Sequence, residues 1–120
     1  AIELSGGEVQ KLMMARALYK DAPVLVLDEP TAALDPIAEN EVYLQYHDMT
    51  AGKTSLFISH RLASTRFCDR ILFLSDGRIT EEGSHRELIA RGGAYAKLYE
   101  IQSCWYHADY KGGEESCVQK

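Results

Sequence analysis

Apolar residues recur along this chain with two different periods, and the switches between them mark the elements. Between Ser5 and Lys20, Val9, Leu12, Met13 and Ala17 share one helical face, which predicts a helix. Pro23 to Asp28 is a short unbroken run of Val and Leu, bounded by Pro23 and Pro30, and predicts a buried strand of a parallel sheet. Pro36 to Met49 returns to helical spacing, with Ala38, Val42, Tyr46 and Met49 in phase. After a turn at Ala51-Gly52-Lys53, Thr54 to Ser59 reads as a second buried strand. Leu62 to Phe67 predicts a short helix. Arg70 to Ser75 and Arg78 to Glu82 flank Asp76-Gly77, a two-residue hairpin signal. Ser84 to Arg91 and Ala94 to Ile101 predict two last helices, split by Gly92-Gly93. From Ser103 onward the pattern dissolves into a polar tail containing Gly112-Gly113-Glu114-Glu115, expected to be loosely ordered. The order of elements predicts part of an α/β sheet with an antiparallel edge.

Composition narrows this picture. With 120 residues there is room for one small domain, and 46% hydrophobic content argues against wholesale disorder. Net charge is -5 and the Lys and Arg residues are scattered, which argues against a nucleic-acid groove. No run approaches the roughly 18–20 apolar residues of a membrane span. Cys68, Cys104 and Cys117 are odd in number, which excludes a complete internal disulfide framework and fits a reducing cytosol. Cys104 and His107 form a C-x-x-H pair with no second pair to complete a structural zinc site. The chain opens on Ala1 and meets a dense motif by Ser5, so a segment of something longer is expected.

Four short motifs carry chemistry. In Leu4-Ser5-Gly6-Gly7-Glu8, Ser5 and Glu8 have capping-box spacing. The two glycines are not needed for capping, and each costs up to about 1 kcal/mol in a helix relative to Ala. Their benefit is bare backbone N–H groups at the positive end of a helix, open to a phosphate. Ser84-His85-Arg86-Glu87 is a capping box without that feature. Asp28-Glu29 ends the first apolar strand, and ligands of open α/β sheets sit at such carboxyl ends. Adjacent strand residues point to opposite sides, so one carboxylate suits hydrated Mg²⁺ and the other an attacking water. Asp35-Pro36 has the form of an ordinary helix start, Asp at N-cap and Pro at N1. His60 ends the second strand, so Asp28-Glu29 and Ser59-His60 are expected to converge at one sheet edge.

Leu4-Ser5-Gly6-Gly7-Glu8, Leu27-Asp28-Glu29-Pro30-Thr31, Ala33-Leu34-Asp35 and Ile58-Ser59-His60-Arg61 stand in the order and spacing of the ATP-binding-cassette (ABC) ATPases. They resemble that family's signature motif, Walker B strand, D-loop and switch histidine. Arg61 to Gln102, with Asp76-Gly77-Arg78-Ile79 and Glu82-Gly83-Ser84-His85, resembles the exporter branch. The resemblance implies part of a P-loop NTPase-like sheet flanked by helices, with a C-terminal antiparallel hairpin and two helices. It divides the chain into a C-terminal part of an ABC ATPase domain over 1–102 and a tail over 103–120. Within the former lie a signature helix at 4–20, a core at 21–75, and hairpin and helices at 76–102.

By the same resemblance, Ser5, Gly6, Gly7 and Glu8 contact ATP held by an opposite subunit, and Asp28 serves Mg²⁺. Glu29 polarises the lytic water, His60 senses the γ-phosphate, and Asp35 couples two sites across a dimer. The implied partners are a second nucleotide-binding domain and a transmembrane domain, at the cytoplasmic face of a membrane. The implied function is ATP hydrolysis coupled to export. The alternative is a non-transport ABC ATPase of the chromosome-structure or DNA-repair type, where the Glu8 variant of the signature also occurs.

Two departures bear on this. Glu8 stands where the family most often has Gln, and a carboxylate near phosphate is unfavourable unless it turns back into its capping role. There is also no G-x-x-x-x-G-K-S/T loop. Gly52-Lys53-Thr54 mimics its end, but His47 occupies the position of the first glycine, and the tripeptide leads into a strand. The 120 residues by themselves are therefore expected to hydrolyse no ATP.

Overall fold

The computed structural model describes residues 3–32 and 34–110. Gly112 to Glu115 and Cys117 lie outside the described residues, as do the side chains of Trp105, Tyr106 and Tyr110. The chain divides into two compact units, residues 1–60 and 61–120.

In the first unit, helix α1 (Gly6–Lys20) is followed by strand β1 (Val24–Asp28), helix α2 (Pro36–Met49) and strand β2 (Thr54–Ile58). β1 and β2 are parallel neighbours, with Leu25 opposite Ser55 and Leu27 opposite Phe57. The apolar run makes β1 because Val and Leu suit a pleated, packed surface. Leu25 and Leu27 are buried, as are Val42, Tyr43 and Tyr46 of α2. The Phe57 ring meets Tyr43 at 5.0 Å and Tyr46 at 6.3 Å between centroids.

The other face of the pair differs from the expectation of strands covered on both sides. Val24, Val26, Leu56 and Ile58 are exposed. Among the described residues of this unit nothing covers them, since α2 packs against the face that carries Leu25, Leu27 and Phe57. Helix α1 also differs in which side it packs. Val9, Leu12 and Met13 are exposed, whereas Met14, Ala17 and Leu18 line a small apolar cavity with Leu25, Leu27, Tyr46 and Met49. The packed side is displaced by about one residue from the expected face, because α1 meets β1 and α2 through its last turns. Lys53, in the phosphate-loop mimic, pairs with Asp21, and the segment continues into β2.

In the second unit a 3-10 helix (Leu62–Phe67) leads to strands β3 (Ile71–Ser75) and β4 (Arg78–Gly83), then helices α3 (His85–Arg91) and α4 (Ala94–Tyr110). Asp76 and Gly77 both have positive φ, 50° and 71°, as a type I′ hairpin turn requires. β3 and β4 form their own two-stranded antiparallel sheet rather than an added edge of the parallel pair. The core is Leu62, Ile71, Leu88 and Tyr95, with Cys68, Phe73 and Tyr99 packed against it. Helix α4 runs to Tyr110, past the expected end at Ile101, because an established helix gains a hydrogen bond with each further residue. Among the described residues no helix is long and apolar enough to cross a membrane.

Candidate functional site

The carboxyl ends of β1 and β2 come together as a consequence of their parallel pairing. Asp28 lies opposite Ile58, and the Glu29 N–H donates to the Ile58 carbonyl at 2.8 Å, which carries the ladder one residue past β1. His60 is thereby delivered to Glu29. Its backbone N–H donates to Glu29 Oε1 at 3.2 Å, and its Nδ1 lies 2.6 Å from the same oxygen. With the carboxylate ionised, Nδ1 must carry the hydrogen, since a carboxylate only accepts. Nε2 is then the second nitrogen of an imidazole whose side chain is 74% exposed. Glu29 itself has φ 47°, a left-handed conformation that costs a non-glycine residue on the order of 1 kcal/mol or more. Asp28 is exposed, on the sheet face opposite Leu27.

A second cluster forms at the start of α1. Ser5 is the N-cap, and Ser5 Oγ accepts the Glu8 N–H at 3.3 Å. The Glu8 carboxylate turns back, accepting from Ser5 N–H and from Ser5 Oγ, each at 2.8 Å. The backbone hydrogen bond from Ser5, then the hydroxyl, hold its carboxyl below the usual carboxylate range. Gly7 needs neither its φ nor its lack of a side chain for internal reasons. Its φ is not positive, and a Cβ there would meet Leu34 Cδ2 at an ordinary 3.5 Å. Leu34 thus packs beside Gly7, and Asp35, next in sequence, caps α2 by accepting the Ile37 and Ala38 N–H groups at 3.0 Å.

One polar cluster has no counterpart in the motif reading. Thr31, Glu39 and Tyr43 are all buried and hydrogen-bonded, with Thr31 Oγ1 2.9 Å from both Glu39 Oε1 and Tyr43 OH. A sequence signal exists. Glu39 and Tyr43 stand four apart on α2, with Tyr43 beside the apolar Val42 and Tyr46, so an acid and a phenol share the packed side of the helix.

The family model described as ABC transporter matches residues 1–32. An ATP-dependent lipid A-core flippase of Polaromonas sp. (strain JS666 / ATCC BAA-500) is 52% identical over 101 residues, covering 84% of this chain. One of Cupriavidus metallidurans is 50% identical over the same number of residues. The chain belongs to the ABC transporter family, on its exporter branch. It spans 17% of the length of these flippases. A bacterial Atm1-family ABC exporter with ATP bound, 39% identical, superposes with a TM-score of 0.78 over 83% of this ABC segment and 18% of the exporter chain. These relatives are two ATP-dependent lipid A-core flippases and an ABC exporter.

Proposed function

We propose that the chain supplies the signature and hydrolytic elements of an ATP site in a longer ABC exporter, coupling ATP hydrolysis to export. The observation that carries this is the meeting of Glu29 and His60, at 2.6 Å, at the carboxyl ends of two parallel strands. Glu29 is held by two donors on one oxygen, which orients the carboxylate to take a proton from an attacking water. His60 clamps that carboxylate through Nδ1–H, and as imidazolium it carries a second hydrogen, on Nε2, to donate to a γ-phosphate oxygen.

The exposed Asp28 carboxylate, a hard oxygen donor at a strand end, fits a hydrated Mg²⁺. Such an ion would neutralise phosphate charge there. Ser5, Gly6, Gly7 and Glu8 contact the ATP of an opposite subunit. The absence of any internal demand for Gly7 supports this, because close approach of a phosphate to backbone N–H groups is the remaining reason for a glycine. Asp35 carries the coupling between the two sites. The partners are a second nucleotide-binding domain and a transmembrane domain, and the location is the cytoplasmic face of a membrane.

The test is Glu29→Gln in the complete transporter carrying this segment. ATP binding is expected to persist while turnover falls by at least about 100-fold, the scale of a lost general base. Turnover within a few-fold of the parent would remove Glu29 from that role.

A further inference from the structure

We propose that Thr31, Glu39 and Tyr43 act as a positioning unit that holds the Glu29 carboxylate in place for the hydrolytic step. This rests on the role assigned to Glu29 above and adds what keeps it there.

The segment from Glu29 to Asp35 links the end of β1 to the start of α2. Two backbone bonds fold it, Ala32 N–H to the Glu29 carbonyl at 3.2 Å and Leu34 N–H to the Thr31 carbonyl at 2.9 Å. Among its described residues Thr31 alone is buried, at 2% exposure. The threonine hydroxyl has one hydrogen. It is donated to Glu39 Oε1, so the Tyr43 hydroxyl must be the donor in the other bond. The result is a directed chain, Tyr43 to Thr31 to Glu39, in which each bond polarises the next. Glu39 and Tyr43 both belong to α2, so the loop is fastened at its middle to the helix that it leads into.

Packing alone does not call for this arrangement. An apolar trio of similar volume would fill the space without burying a carboxylate. What the polar trio adds is direction, because its hydrogen bonds require aligned donors and acceptors whereas apolar contact does not. That matters because Glu29, two residues earlier, is kept at φ 47° against its backbone preference. Released from its anchor, the loop can relax toward negative φ, and the carboxylate leaves the two His60 donors. Misplacement of a reacting group by about 1 Å can cost on the order of 100-fold in rate.

The test is steady-state ATP hydrolysis by the complete transporter. Thr31→Val removes the hydroxyl and is expected to lower kcat by roughly 10- to 100-fold, with KM for ATP essentially unchanged. Thr31→Ser keeps the hydroxyl and is expected to recover most of the lost kcat. Should Thr31→Val fail to fold because the buried Glu39 loses the Thr31 hydroxyl, Tyr43→Phe carries the test. It removes one donor, strands no charge, and is expected to lower kcat at constant KM by less than Thr31→Val. A parental kcat in the folded variant overturns the proposal, as does a loss that Thr31→Ser fails to restore. Glu29→Gln separates the two claims. If it leaves turnover intact, the role of Glu29 fails and the positioning claim with it. If it abolishes turnover while the folded Thr31 or Tyr43 variant keeps the parental kcat, only the positioning claim fails.

Discussion

Gly93 has no room for a side chain. A Cβ there would lie 1.6 Å from Glu81 Oε1 and 2.8 Å from Glu81 Cδ. Glu81 cannot simply swing aside, because its Oε2 accepts the Tyr95 N–H at 2.7 Å and so caps the first turn of α4 from β4. Gly93→Ala is expected to lower stability by about 1–2 kcal/mol, the scale of one lost charged cap bond. A reduced urea midpoint of unfolding checks this, and an unchanged midpoint would mean that Glu81 caps α4 from another rotamer. Its neighbour Gly92 has a different reason, a left-handed C-cap on α3 with φ 65°. The sequence marks Gly92-Gly93 as a helix break, but nothing local in it separates a capping glycine from one cleared for a side chain of another element. Glu8 shows the opposite case. Its turn back onto Ser5 follows from spacing alone, because both partners lie within one helical turn.

Among the elements, α1 and α3 start with the same device, and it makes their stability depend on pH. Bonds from Ser5 and Ser84, the backbone N–H first and the hydroxyl second, hold the Glu8 and Glu87 carboxyls below the usual range. A folded pKa below the unfolded one stabilises at pH above the unfolded value, and the contribution is lost as pH falls through the folded value. His85 acts in the same direction at higher pH. Burial first, and the Arg66 charge second, lower its pKa. Its Nδ1 sits 2.8 Å from Tyr95 OH, and its ring packs 4.7 Å from that of Tyr99. The folded state therefore favours neutral imidazole, and this contribution is lost as pH falls from the ordinary histidine range through the lowered value. The urea midpoint is expected to fall as pH drops from 8 toward 5, and further through the carboxylate range. His85→Gln should flatten the first step and Glu8→Gln with Glu87→Gln the second. A midpoint flat from pH 8 to 5 in the parent would contradict the assignment to His85. Most elements are legible from periodicity and caps, whereas the end of α4 is not. Its apolar pattern stops near Ile101, but continuation of a helix depends on backbone bonds rather than on a buried face.

At the scale of the whole chain, every site residue discussed lies in residues 5–60, and the motif set contains no phosphate-cradling loop. Residues 1–120 alone are expected to show no Mg-ATPase above background, since positioning dominates phosphoryl transfer and nothing here cradles the phosphates in cis. Saturable turnover by the purified chain would show that these residues complete an ATP site unaided. The same preparation is expected to bind a hydrophobic dye. Val24, Val26, Leu56 and Ile58, at 55%, 60%, 51% and 44% exposure, align on one face of the parallel pair, and Val9, Leu12 and Met13 of α1 are exposed as well. Absence of dye binding would mean that these residues are covered in solution, for instance by self-association, which sedimentation would reveal.

The order of elements, the two capping boxes, the Asp76-Gly77 turn and the motif series that identifies the family can all be read along the chain. All of these are written in contacts between near neighbours, or in spacing that repeats within one element. Tertiary structure decided which faces are covered and which distant groups meet. His60 reaches Glu29 across 31 residues only because β1 and β2 pair in parallel and in that register. Thr31 finds Glu39 and Tyr43 only because the loop after Glu29 folds back on α2. Hydrophobic period says that a strand or helix has an apolar face. It carries no information on what lies against that face, because burial is non-directional and register is set by the partner.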